Sequence, residues 1–242
     1  MKNLARLMRT VFAPLCLVAL LVGTASIARA GIIYGTGTAG NGTRDTDWQV
    51  LAVGGNNVSG NTPPYDAYVY TVVPQGWNGT GGFGQPQVGV TTADGTFRWI
   101  GPNPTTAAPF PADYNYIIGQ RFTAEQAGTY NFSFSANGDN FFSFFLNGTI
   151  SLADPVKPVI VGGTQIGQTS NDFQVLKTLT GTAFLNQGDN WAYAVINERG
   201  FDTGVLVTQS TFGVVPEPST VAMGLAGIAI GGWAAVRRRK QA

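Results

Sequence analysis

The 242-residue chain contains no histidine. That absence removes the usual general base near neutral pH, the commonest nitrogen ligand for metals, and every Ser-His or Cys-His catalytic pairing. Cysteine is almost as scarce, with Cys16 alone near the start. One thiol closes no disulfide within the chain and offers no cysteine cluster to a metal. Charge is thin, since Asp, Glu, Lys and Arg make up only 11% of the residues. It is also uneven. Of the 14 Lys+Arg, four lie in the first 30 residues and four in the terminal cluster, leaving six, whereas 12 of the 13 Asp+Glu lie within residues 31–213. The central stretch is therefore near −6 although the whole chain is +1. Six scattered cations on an acidic body cannot neutralise a run of phosphates, so nucleic acid is excluded as a partner. What fills the space instead is glycine, with Thr, Asn and Ser, the composition of a turn-rich exported β protein.

The start of the chain has the three-part layout of a secretory signal. Lys2, Arg6 and Arg9 precede an apolar run from Val11 to Val22, and Ala28-Arg29-Ala30 supplies small residues for a cut after Ala30. A run of about twelve residues is short of the roughly twenty that span a bilayer, which favours a cleaved signal over a retained anchor. Leu15 before Cys16 does not suit a lipoprotein signal. The mature chain has no thiol.

The end of the chain has its own order: Val215-Pro216-Glu217-Pro218-Ser219-Thr220, then an uncharged stretch from Val221 to Val236, then Arg237-Arg238-Arg239-Lys240. As a helix, residues 221–236 reach about 24 Å, short of a ~30 Å hydrocarbon core unless flanking residues help. A short span suits a temporary hold. The basic cluster stays on the cytoplasmic side as a stop-transfer signal, so everything before it faces outward, in agreement with the signal peptide. This ordered combination resembles the PEP-CTERM tail, with Pro216, Glu217 and Pro218 as its sorting motif. The resemblance implies processing near Pro216–Pro218 by an exosortase-type membrane protease, in a Gram-negative bacterium that secretes extracellular polysaccharide. It also implies a path: export across the inner membrane, a transient anchor there, then the cell surface or extracellular matrix. The competing reading is a permanent single-span anchor whose prolines only stiffen a linker.

Between the ends, residues 31–213 suffice for one sizeable core. Helical periodicity is absent, and short alternating runs bounded by Gly, Asn, Asp or Pro recur instead. Thr129 to Ala136 sets Tyr130, Phe132 and Phe134 against Asn131, Ser133 and Ser135, as a half-buried strand demands. Asn140 to Leu146 is apolar on both faces except Ser143 and should lie centrally, with Asn147-Gly148 turning a hairpin into Thr149 to Leu152. Further strands are expected at Gln49 to Val53, Ala67 to Val73, Thr96 to Ile100, Tyr116 to Phe122, Phe173 to Leu179, Trp191 to Asn197 and Val205 to Phe212. Loops are expected at Gly54 to Pro64, Pro74 to Gln87, Gly101 to Asp113 and Asp154 to Asp172. This predicts an all-β single sandwich domain, flanked by an N-terminal signal helix (1–30) and a C-terminal sorting signal (214–242) with one transmembrane helix.

The order of Asp47-Trp48, Arg98-Trp99-Ile100-Gly101-Pro102, Arg121-Phe122, Ala127-Gly128-Thr129-Tyr130, Asp139-Asn140, Asn147-Gly148, Gly188-Asp189-Asn190 and Val195-Ile196-Asn197 resembles the galactose-binding-like jelly roll. That resemblance implies ligand sites in loops at one end of the sandwich. Trp48, Trp77 and Trp99 are the candidate sugar platforms, because an indole face stacks on the C–H face of a pyranose. For Trp48 and Trp99, each beside a strand, core packing competes; Trp77, in Gln75-Gly76-Trp77-Asn78-Gly79, has no apolar neighbour in sequence. Asp139 and Asn140, with Asn137, offer oxygen ligands to Ca²⁺, which wants about six to eight of them, and Asp45 with Asp47 offers fewer. The competing reading of both is an Asx turn, and no other cofactor is expected.

Two functions from different classes remain. One is a non-catalytic surface or matrix module that is structural or binds carbohydrate associated with exopolysaccharide. The other is a glycan hydrolase using Glu125 and Glu198, the only glutamates of the central stretch, although both fall in turn-like sequences. The first is preferred, so no enzyme is expected.

Overall fold

The computed structural model describes residues 31–55, 63–71, 89–103, 113–170, 174–199 and 203–215, with 227, 228 and 230 in the tail. The signal segment, Pro216 to Pro218, the basic cluster and Trp77 lie outside the described residues, as do the expected signal helix and most of the expected tail helix. No helix among the described residues is long and apolar enough to cross a membrane.

The described residues between 31 and 214 are all-β. In chain order the strands are β1 (Gly31–Ile33), β2 (Arg44–Val53), β3 (Tyr65–Val69), β4 (Val90–Thr92), β5 (Gly95–Phe97), β6 (Ile100–Gly101), β7 (Tyr114–Ala124) and β8 (Gly128–Asp139). They continue with β9 (Phe141–Leu146), β10 (Thr149–Ser151), β11 (Val159–Val161), β12 (Thr164–Ser170), β13 (Lys177–Leu185), β14 (Gly188–Glu198), β15 (Gly204–Val207) and β16 (Ser210–Val214). Twelve of them form one ladder in the order β1-β16-β8-β15-β6-β3-β2-β7-β14-β9-β12, with β13 on the other edge of β8, while β10-β11 and β4-β5 are separate hairpins.

The ladder curls until its two halves face each other, as in a jelly roll, and alternation along the strands explains why. Tyr130, Phe132, Phe134 and Ala136 of β8 point inward and are buried, while Thr129, Asn131 and Ser133 between them are exposed. Opposite them, β7 turns Ile118 and Phe122 inward, β9 turns Phe142, Phe144 and Leu146, and β14 turns Ala192, Ala194 and Ile196. Rings meet across the gap: Phe134 and Phe144 lie 4.5 Å apart, and Phe122 and Phe212 5.2 Å apart edge to face. These apolar faces, hidden from water, supply the main driving force of the fold.

The β2-β7-β14-β9 half carries a second apolar cluster on its outer face. Ala52, Ile117, Tyr193 and Val195 are buried there, with Leu51, Phe145 and Trp191 half-buried beside them. Their cover is the β10-β11 hairpin, which lays Ile150 and Ile160 over the cluster. The hairpin is stitched to the ends of β2 and β7 by backbone bonds, with Asn115 N donating to Val156 O at 3.0 Å and Gly55 N to Pro155 O at 2.8 Å. A side chain on Gly54 is impossible here, because its Cβ would lie 1.8 Å from Val156 O.

Several sequence expectations change. Asn147 does adopt positive φ, 56°, but the turn leads away from β9: β10 pairs with β11 instead. The expected loop Asp154 to Asp172 contains β11 and β12, and β12 carries no strand signal because Thr-Gln-Ile-Gly-Gln-Thr-Ser has one apolar side chain. The strand expected from Phe173 begins at Lys177, and the one expected to reach Val73 ends at Val69.

Candidate binding cleft

The cleft arises where two strands stop pairing. β2 and β7 are bonded from Gln49↔Gly119 to Val53↔Tyr116, although β2 begins at Arg44 and β7 runs on to Ala124. The cause is Asp45. Its buried carboxylate accepts Gly37 N at 2.6 Å, Asp47 N at 3.0 Å and Trp48 N at 3.2 Å. Backbone donors satisfied by a side chain are lost to the ladder, so β2 bulges and peels away. Burial pushes the Asp45 carboxyl above its ordinary range, and the three donors oppose that shift.

The gap holds a cavity of about 380 Å³, lined by Thr46, Asp47 and Gln49 of β2, Gly119, Gln120 and Arg121 of β7, Trp191 of β14, and Tyr34. Tyr34 is fixed through its backbone: its N–H donates to Gln120 Oε1 at 2.8 Å and its carbonyl accepts Trp48 Nε1 at 3.0 Å. Its side chain stays 48% exposed. Gln120 is thereby oriented, yet its buried Nε2 has no hydrogen-bond partner among the described residues. A buried amide donor without a partner costs about 1–3 kcal/mol. Gln120 shares parity with the inward Ile118 and Phe122 and is 2% exposed, so this donor lies behind the cleft wall.

Trp191 is held as firmly. Its N–H donates to Asn147 Oδ1 at 3.0 Å, its carbonyl accepts Asn147 N at 2.8 Å, and its ring stacks on Tyr193 at 5.8 Å with only 7° between planes. Gly119 sits between Gln49 and Tyr193 in the ladder, and a Cβ there would meet Leu51 Cδ1 at 2.5 Å and Tyr193 Cδ1 at 3.1 Å. The floor is low because glycine is there. Arg121, paired in register with Trp191, forms an ion pair with Asp189 at 3.3 Å.

The candidates named by sequence pattern fall elsewhere. Trp48 and Trp99 are both 0% exposed, Trp48 with its ring edge-on to Phe144 and Trp99 in a small cluster with Tyr70, Phe97 and Leu206. Neither has a face for a sugar, so both are corrected to core residues. Asp139 and Asn137 belong to β8 rather than to a turn, and Asp139 is buried with its carbonyl accepting Thr203 Oγ1. Asn140 follows it, half-buried. Among the described residues no three of His, Cys, Asp and Glu gather to hold a metal.

The glutamate pair also separates. Glu198 ends β14 opposite Tyr114, the first residue of β7, while Glu125 is exposed just beyond the other end of β7. A ladder of 11 residues puts them about 34 Å apart, where glycoside hydrolysis needs about 5–9.5 Å. Glu198 is buried beside Tyr114 and Tyr116, whose hydroxyls are pushed well above their ordinary range by burial. These two glutamates do not form a hydrolytic pair.

Trp191 does not stand out in the sequence because it lies inside a clear strand. A finer signal is there all the same: it shares parity with Asp189 and Asn197 while small Ala192 and Ala194 take the other face, which marks its side as the one nearer water.

The described fold has solved relatives in form. It is similar to a family 35 carbohydrate-binding module from Cellvibrio japonicus Abf62 at 11% identity, covering 71% of this chain and 91% of that one with a TM-score of 0.34. A family 35 module from Clostridium thermocellum is similar at 15% identity, covering 70% and 100% with a TM-score of 0.30, and a family 4 module at 16%, covering 74% and 94% with a TM-score of 0.34. At such scores the likeness carries no function across. No curated protein matches the chain. Residues 214–240 match the PEP-CTERM protein-sorting motif, so the chain carries the C-terminal sorting signal of an exported protein.

Proposed function

We propose that the chain is an exosortase-processed surface or extracellular-matrix protein whose sandwich is a non-catalytic module that binds polysaccharide in the cleft at Trp191. The observation that carries this reading is the cleft's chemistry: Trp191 and Tyr34 offer aromatic faces, and the Gln49 amide and Thr46 hydroxyl serve the hydroxyls of a sugar. The sorting motif supports the address. No binding is routed through Ca²⁺ here, because Asp47 is the one carboxylate among the described lining residues.

Retention of the purified full chain on the producing cell's own immobilised polysaccharide tests the reading, with expected release by excess soluble polysaccharide and no effect of chelator. No retention, with or without Ca²⁺, overturns the binding role. Intact mass of the protein from the medium should begin at Gly31 and end near Pro216–Pro218; recovery only with its tail, from membranes, would favour the permanent anchor.

A further inference from the structure

Three charged side chains decide what kind of glycan the cleft accepts. Among the described residues Arg121 is the single cation lining the cavity, and Asp47 lines it too. Arg121 is 64% exposed, so it could meet an anionic sugar, but its guanidinium is engaged by Asp189 at 3.3 Å. Asp189 is itself positioned by Thr123 Oγ1 at 3.4 Å and lies two residues before Trp191 in the chain. Counting Arg121, Asp47 and Asp189 together, the mouth of the cleft carries one net negative charge, on a domain that is itself near −6. A carboxylate entering there must displace Asp189 from Arg121 and face both acids, with no gain in pairing. A hydroxyl entering there meets the uncharged Thr46 and Gln49 side chains and breaks no ion pair.

Resting on the polysaccharide-binding reading above, we propose that the cleft selects uncharged glycans over uronic, sulfated or phosphorylated ones, with Asp189 the specificity-determining residue that withholds Arg121 from anions. Asp189 acts through Arg121 and touches no sugar. Its role is to set a preference, and a neutral ligand binds without the salt dependence that an ion-paired one would show.

The test titrates the full chain in detergent with soluble neutral glucan, mannan, xylan and galactan and with polygalacturonate and alginate, at low and high salt. The expected result is binding to at least one neutral polymer, unchanged by salt, with the uronates at least about fivefold weaker. In Asp189→Asn, whose site is exposed and should not disturb folding, the neutral-to-uronate ratio should fall about fivefold as Arg121 is released, with the gain confined to low salt. Equal or tighter binding of the uronates by the unaltered protein, or an unchanged ratio in Asp189→Asn, overturns the selectivity while leaving the polysaccharide reading intact. Failure to bind any neutral polymer of the panel overturns the selectivity, while the polysaccharide reading stands or falls on retention by the producing cell's own polysaccharide.

Discussion

The two faces of the β2-β7-β14-β9 sheet are both apolar, but they are closed by different means. The inner face is sealed by a whole opposing layer, with Phe144 and Phe122 pressed against Phe134 of β8 and Phe212 of β16, and Trp48 buried edge-on to Phe144. Among the described residues the outer face has only the β10-β11 hairpin, and the hairpin's two isoleucines cover one end. At the other end Trp191 and Tyr34 remain at the wall of an open cleft. The contrast teaches that a tryptophan's meaning lies in what stands opposite it: the same side chain is structural at 48 and available at 191.

The sharpest way to break that comparison is to truncate both. Trp48→Ala removes a fully buried indole together with its bond to the Tyr34 carbonyl, and should cost about 3–5 kcal/mol. Urea unfolding should show the midpoint falling with the slope unchanged. A cost below about 1 kcal/mol would mean that the inner face is not the sealed one.

Trp191→Ala should do the reverse. Stability should change by less than about 1 kcal/mol, since the ring is only half-buried, while affinity for the bound polysaccharide falls up to about tenfold with the loss of one aromatic face. Calorimetric titration beside the same unfolding assay separates the two. Equal effects of both substitutions on stability and none on binding would make Trp191 an ordinary core residue.

How much of this was legible in the sequence follows from which interactions are local. Period-two alternation in β8 needs only neighbouring residues, so the pattern alone puts Tyr130, Phe132 and Phe134 on one buried face. The cleft depends on residues far apart in the chain. The Asx reading of Asp45 was legible, since Asp47 N and Trp48 N lie two and three residues on, but its third donor, Gly37 N, and the convergence of Leu51 and Tyr193 on Gly119 were not. The tail was legible for the opposite reason, because Pro216-Glu217-Pro218, the apolar stretch and the basic cluster follow one another without tertiary help.

The smallest expected effect concerns the hairpin that covers the outer face. Besides backbone bonds, it is tied down by Lys157, which donates to the Asp113 carboxylate, while Asn115 Nδ2 donates to Pro158 O at 3.1 Å. The Lys157 ammonium, then the Asn197 amide, hold the Asp113 carboxyl below its ordinary value of 3.8. A carboxyl lowered in the closed state contributes stability that is present above 3.8 and is lost as pH falls through the lowered value. Acid should therefore loosen the hairpin without unfolding the sandwich, seen as reduced hydrogen-exchange protection at Ile150 and Ile160 while Phe132 and Phe134 stay protected. Because the pair is exposed, the change should be small, well below that of Trp191→Ala on binding. Lys157→Ala should lower protection at the same two residues at neutral pH and flatten its dependence on acid. If acid loosens the variant as much as the unaltered protein, the hairpin is held by its backbone bonds alone, and the two faces differ in area of cover but not in the kind of interaction that closes them.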